Sequence, residues 1–209
     1  MIFARKYLLY FIIILIIAAL ETVIAIKIYP KIAFVKNDIW TILPSPGDPD
    51  RSIYTRAAVA AAGTFASKKP EQAYYQTEID IEDQPLNGNC LYKLSGDDIN
   101  SYRWWSITAY AEDGYLIENT EKLYSYNSDT ITYKPDGIEI YFLGKNEFIS
   151  DVANKNWLRV NQDENFNISL RIYGPGEEFF SNLRRVNLPI VEKVKCKEWG
   201  PYWTRYLFF

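Results

Sequence analysis

Twenty consecutive residues near the N-terminus, Tyr7 to Ile26 (YLLYFIIILIIAALETVIAI), carry one charge, Glu21. At about 1.5 Å of rise per residue, a helix of that length covers ~30 Å, the hydrocarbon thickness of a bilayer. No polar stripe interrupts the run, which sets it apart from the core helix of a soluble protein. Residues 1–27 therefore read as a signal anchor with a transmembrane helix. The alternative is a cleaved signal peptide, with Arg5 and Lys6 as its basic start, Leu8 to Leu20 as its apolar centre and Val23-Ile24-Ala25 as its cleavage site. The anchor is preferred because the apolar run continues past Glu21 to a full span, and Glu21 is close enough to the outer end to snorkel. Tyr7 and Tyr10 at one end and Tyr29 at the other suit the two membrane–water interfaces. Basic residues do not fix the orientation, since Arg5, Lys6 and the α-amino group face Lys27, Lys31 and Lys36 across the run. A six-residue head before a long C-terminal body is the layout in which the body is translocated.

The rest of the chain has the composition of a packed domain: 48% of the 209 residues are hydrophobic and 23% are charged. It holds no histidine, which removes Ser-His-Asp and Cys-His triads, HExxH zinc sites and imidazole ligation together. Residues 1–31 contain four of the 23 basic and one of the 26 acidic side chains, leaving 19 against 25 and a net charge of −6 beyond them. A negative body repels phosphodiester backbones, so no nucleic-acid partner is expected. The short basic groups Arg184-Arg185 and Lys193, Lys195, Lys197 read as solvated faces.

Without imidazole, the remaining catalytic equipment is paired carboxylates, a Ser-Lys pair or a metal on oxygen ligands. Carboxylates gather near turns at Asp80, Glu82 and Asp83, at Asp97 and Asp98, and at Glu112, Asp113 and Glu118. Turn carboxylates most often bond the local backbone. No EF-hand rhythm and no glycine-rich phosphate cradle occurs, so no metal and no cofactor is expected. Ser106 sits mid-strand between aromatics, away from the exposed elbow a nucleophile needs. No catalytic residue is assigned.

Cys90 and Cys196 form no CxxC motif and have no histidine with which to share a zinc ion. In an oxidising compartment such an even pair reads as a disulfide. Closing a loop of about 100 residues contributes roughly 4–5 kcal/mol in the chain-entropy account, as an upper figure.

Residues 28–51 read as a juxtamembrane linker ending in LPSPGDPD, where three prolines and a glycine forbid regular structure. Asp50 or Ser52 can cap a helix over Ser52–Lys68, in which Tyr54, Ala58, Ala61 and Phe65 fall on one stripe and Lys69-Pro70 ends the run. Short strands follow at spacings near ten residues. They comprise Tyr74–Ile81, Asn89–Leu94, Arg103–Tyr110, Tyr115–Asn119, Thr130–Tyr133, Ile138–Leu143 and Asn165–Tyr173, divided by turn signals such as Asp113-Gly114 and Asp136-Gly137. The fold class is all-β, an antiparallel β-sandwich with one N-terminal transmembrane helix and one amphipathic helix. The helix plus sandwich occupies residues 52–198, and 199–209 form a C-terminal tail.

Alternation along Arg103–Tyr110 puts Trp104, Ser106, Thr108 and Tyr110 on one face and Arg103, Trp105, Ile107 and Ala109 on the other. In the last strand Ser169, Arg171 and Tyr173 share a face. An arginine flanked by aromatic rings offers a planar donor fork and flat apolar surfaces, suited to a sugar ring or an anionic head group. The candidate ligand-binding residues are Arg103, Trp105, Tyr110, Trp157, Arg171 and Tyr173. The competing reading fills the core with the tryptophans, pairs the arginines with carboxylates at the rim and makes Asn156-Trp157 a loop plug.

From Asp48 to Cys196 the chain resembles the bacterial family called domain of unknown function 1214. The resemblance rests on Tyr54-Thr55-Arg56-Ala57, Leu86-Asn87-Gly88-Asn89-Cys90-Leu91-Tyr92, Arg103-Trp104-Trp105-Ser106-Ile107-Thr108 and Asp113-Gly114-Tyr115-Leu116-Ile117-Glu118-Asn119. It continues through Asp136-Gly137, Asn156-Trp157-Leu158, Leu170-Arg171-Ile172-Tyr173-Gly174-Pro175 and Leu188-Pro189-Ile190. Each match is weak alone, and the ordered set is specific. The resemblance implies a jelly-roll-like sandwich, in the short membrane-anchored form without the companion domain of unknown function 1254, and it supplies no activity. Arg159 departs from the family, which commonly has proline after the NWL segment, so the local turn there is open. The chain is expected in the bacterial inner (cytoplasmic) membrane with its C-terminal domain periplasmic, or secreted to the periplasm if the N-terminal segment is cleaved. The expected role is a non-catalytic binding or interaction domain for a glycan, a lipid or an envelope protein. The alternative is a histidine-independent hydrolase or lyase that uses a carboxylate pair on saccharides or esters.

Overall fold

The computed structural model describes residues 2–44, 47–62, 70–99, 103–144 and 146–196. The apolar run lies in one long helix, α1 (Ile2–Ala33), whose side chains from residue 5 to residue 24 are all exposed. Its segment Arg5–Ile26 is long and apolar enough to cross a membrane. A second helix, α2 (Ile53–Ala62), starts where Ser52 Oγ accepts the backbone N–H of Thr55 at 3.3 Å, the N-cap expected of a serine at that place. The rest of the helix read to Lys68, and the tail 199–209, lie outside the described residues.

Among the described residues, ten strands make two sheets. Six of them, in the order β1 (Val35–Asn37), β2 (Trp40–Ile42), β3 (Gln72–Thr77), β9 (Phe166–Tyr173), β5 (Trp104–Ala111) and β6 (Ser125–Asn127), form the larger sheet. The smaller has β10 (Ile190–Cys196), β4 (Cys90–Gly96), β7 (Ile138–Leu143) and β8 (Trp157–Arg159). All the strand pairings are antiparallel except β7 with β8, which run parallel. One apolar cluster draws on both inner faces, with Trp40, Tyr75, Trp105, Ile107 and Leu170 from the larger sheet and Tyr92, Leu94, Ile140 and Phe142 from the smaller. This shared layer makes the body a β-sandwich. A lesser cluster covers the outside of the smaller sheet, where the short helix α3 (Ile149–Val152) and the 3-10 turn before it pack Phe148 and Val152 on Leu91, Tyr141 and Leu143.

The β1–β2 hairpin lies inside the stretch read as linker. Trp40 is buried there and donates its indole N–H to the Pro189 carbonyl at 2.7 Å, so this segment is part of the core. Two expected strands are absent. The Tyr115–Asn119 segment leaves its hairpin after one bridge, Tyr110 with Leu116, because the Asn119 side chain bonds the backbone of Ile117 and Leu123 and closes a loop of its own. In Thr130–Tyr133 the amide of buried Asn156 takes the N–H and C=O of Thr132, at 2.9 and 2.8 Å, in place of a strand partner. Asn156 is thus the structural plug that its position suggested.

The two cysteines are direct partners on β4 and β10, with Cα atoms 3.9 Å apart, and they form a disulfide. That separation lies well inside the limit of about 7 Å beyond which no bridge forms.

Candidate functional site

Strands β3, β9 and β5 form the centre of the larger sheet, and their register aligns the outward side chains into rows. Arg171 stands between Tyr74 and Ser106, Ser169 between Gln76 and Thr108, and Tyr173 between Gln72 and Trp104. The Arg171 side chain runs along β5, where it donates to Thr108 Oγ1 at 3.3 Å and to the hydroxyl of Tyr110. Its guanidinium carbon lies 5.3 Å from the ring centre of Tyr110 and 5.7 Å from that of Tyr74, within cation–π range. Among the described residues no carboxylate reaches ion-pairing distance of it. Two of the five guanidinium N–H donors serve Thr108 and Tyr110, which fixes the plane of the fork and leaves donors for a guest.

On the same face, but on the side of Arg171 away from Tyr110, Trp104 and Tyr173 meet edge to face with ring centres 5.3 Å apart. The indole N–H of Trp104 donates to Asp129 Oδ2 at 2.8 Å, which fixes the ring and sets a carboxylate at its margin. Between Tyr110 and these rings the rows carry small hydroxyls, Ser106, Thr108 and Ser169, all buried. The resulting face has a half-buried arginine, aromatic walls and a hydroxylated floor. An extended molecule laid along the strands can set a flat ring against Trp104 and Tyr173 while a negative group farther along it meets Arg171.

Of the six sequence candidates, Tyr110, Arg171 and Tyr173 come together here. Trp105 does not, because alternation turns it into the core at 1% exposure. Arg103 lies at the sheet end, packed over Gly174 and paired with Glu71 at 3.7 Å. Trp157 belongs to the outer cluster of the other sheet, under the guanidinium of Arg159 at 5.5 Å. Tyr74, Trp104 and Asp129 were missed as site residues. Alternation alone put Trp104 on the face of Tyr110, whereas the pairing that brings Tyr74 and Tyr173 beside them is a long-range register.

Several of the turn carboxylates do structural work. Asp80 is fully buried and its Oδ1 accepts the N–H of Glu82 and of Gln84, while Lys193 stands 3.7 Å from Oδ2. Asp113 accepts the N–H of Tyr115, and Asp97 accepts from Asn187. Glu121, from a loop, receives two N–H groups of Arg159 at 2.8 and 3.0 Å, and this fork holds its carboxyl down at about 2. Burial pushes the Tyr92 hydroxyl upward, with the negative charge of nearby Asp80 adding to the effect. Among the described residues no three metal-ligating side chains converge. Two further clefts open at the ends of the sandwich. One, of about 470 Å³, has Ile99, Ile172 and Phe179 in its wall and Asp98, Glu178 and Arg185 at its rim, and the other, of about 380 Å³, includes Glu78, Glu112 and Phe166.

No curated protein matches the chain. Among solved structures it is similar to the VPA0106 protein of Vibrio parahaemolyticus, at 22% identity and a TM-score of 0.56 over 70% of this chain and 36% of that one. It also matches an uncharacterised protein from Burkholderia cenocepacia, at 12% identity and a TM-score of 0.40 over 74% of this chain and 46% of that one. The chain thus spans well under half the length of the Vibrio protein, and that likeness is one of fold. Residues 71–177, more than half of the sequence, match the family model described as protein of unknown function (DUF1214), and this span contains all of Tyr74, Trp104, Tyr110, Asp129, Arg171 and Tyr173. The chain is therefore a member of the DUF1214 family.

Proposed function

We propose that the protein is a non-catalytic binding domain tethered to the bacterial inner membrane and facing the periplasm, and that it holds an acidic saccharide on the outer face of its larger sheet. The apolar helix supports the tether, and the disulfide supports an oxidising compartment. The observation that carries the binding role is Arg171, clasped by Tyr110 and Thr108 on the face that also presents Trp104 and Tyr173, with no carboxylate to neutralise it among the described residues. An arginine kept only for structure normally finds an anion of its own chain, and this one presents its remaining donors to a guest. The guanidinium reaches toward Tyr110, and the Trp104–Tyr173 pair lies toward the opposite end of these strands, so the face suits an acidic oligosaccharide with one ring on the aromatic pair and the carboxylate of another unit on Arg171.

Calorimetry with the full chain in nanodiscs, titrated with an oligogalacturonate and separately with the neutral galactan of equal length, tests the reading. The acidic oligomer binds and the neutral one does not, Arg171→Ala abolishes the binding, and Trp104→Ala weakens it about tenfold, equivalent to ~1.4 kcal/mol. Unchanged binding by Arg171→Ala contradicts the proposal.

A further inference from the structure

The sandwich stands close to its helix. Only Phe34 separates the end of α1 from β1, and about seven residues of α1, or roughly 10 Å, extend past the apolar span. Helix α2 packs against α1. At its start α2 presents Ile53 at 73% and Tyr54 at 48% exposure, flanked by exposed Arg51 and Arg56. Charge divides in the same direction. Residues 27–56 hold five basic and three acidic side chains, a net +2, whereas residues 57–209 hold 16 and 22, a net −6.

An isoleucine exposed to solvent and a half-exposed tyrosine next to arginines, on a helix packed against the apolar helix α1, have the chemistry of an interfacial helix. We infer that α2 is a second membrane contact, lying in the outer head-group layer with Ile53 and Tyr54 inserted and Arg51 and Arg56 against the phosphates of anionic lipid. The contact continues the one made by α1 and rests on the reading of α1 as an anchor. It goes beyond the tether, because a span alone leaves the body free to swing, whereas a span and an adjoining surface helix fix which side of the sandwich faces away from the bilayer.

The test uses the full chain in vesicles of phosphatidylcholine and phosphatidylglycerol whose acyl chains are brominated near the head group. Ile53→Trp is compared with wild type and with Tyr115→Trp, an exposed position on the β5–β6 turn. The added tryptophan at 53 shifts to the blue and is quenched by the brominated lipid, the one at 115 is not, and Arg51→Glu with Arg56→Glu relieves the quenching. Flotation of the chain with vesicles, combined with equal and unquenched emission at 53 and 115, overturns the inference alone. Failure of the wild-type chain to float removes the anchor and this contact with it.

Discussion

Asp80 has its carboxylate closed in by its own turn, with two backbone N–H groups on one oxygen and a lysine at 3.7 Å from the other. Asp80→Ala leaves both N–H groups without their acceptor and lowers the unfolding free energy by about 1–3 kcal/mol, read from urea denaturation; Asp80→Asn, which keeps an acceptor oxygen, costs less. Arg159 gives a pH signature. Its fork holds Glu121 at about 2, below the ordinary value of 4.5. A carboxyl depressed on folding contributes stability that is complete above the unfolded value and is lost as pH falls through the folded one. The thermal midpoint therefore declines between about pH 4.5 and 2 in the wild type, and Glu121→Gln flattens that part of the profile. The ion pair is partly solvated, so the effect is small, on the order of 1 kcal/mol or less. Arg159 was visible in the sequence only as a departure where proline is common. Its role could not be read there, because Glu121 lies 38 residues away and nothing local links the two.

Among the elements, those legible from the sequence share one property, a long run of alternating or fully apolar residues. The strand read as Ile138–Leu143 is β7 to the residue, and β5, β9 and β4 differ from their expected bounds by one or two positions. Strands β1, β2, β6 and β8 escaped because three residues carry too little periodicity. Strand β10 escaped because it is an edge strand whose exposed lysines blur the pattern. The two false strands have good strand composition, and an asparagine side chain claims their backbone instead. The hairpin entering β7 was legible from Asp136-Gly137, and it is tightly constrained. Gly137 has φ +116° and a Cβ there would come within 2.2 Å of the Gly96 carbonyl oxygen, so Gly137→Ala destabilises by about 1–3 kcal/mol. Strand β10 depends on its bridge to β4. Reduction, or Cys90→Ala with Cys196→Ala, lowers stability by roughly 2–4 kcal/mol, and hydrogen exchange rises first in β10, the edge strand, before the central β5 and β9.

For the molecule as a whole, the division into an apolar N-terminal helix and an acidic β-sandwich was open to sequence reasoning because hydropathy and charge are sums over many residues. The binding face was half legible. Alternation gave the composition of each strand face, but which strand lies beside which is set by pairings such as Tyr74 with Arg171, almost a hundred residues apart. That assembly turns an isolated arginine into a clasped cation beside two aromatic rings. The measurement that tests this most directly is diffraction from crystals of the full chain soaked with a galacturonic acid trimer. The expected result is one uronate carboxylate on Arg171 and the ring of another unit against Trp104 and Tyr173. Sugar seated instead in the cleft of Glu78 and Glu112, or in that of Glu178 and Arg185, with the outer face of the larger sheet bare, would contradict it.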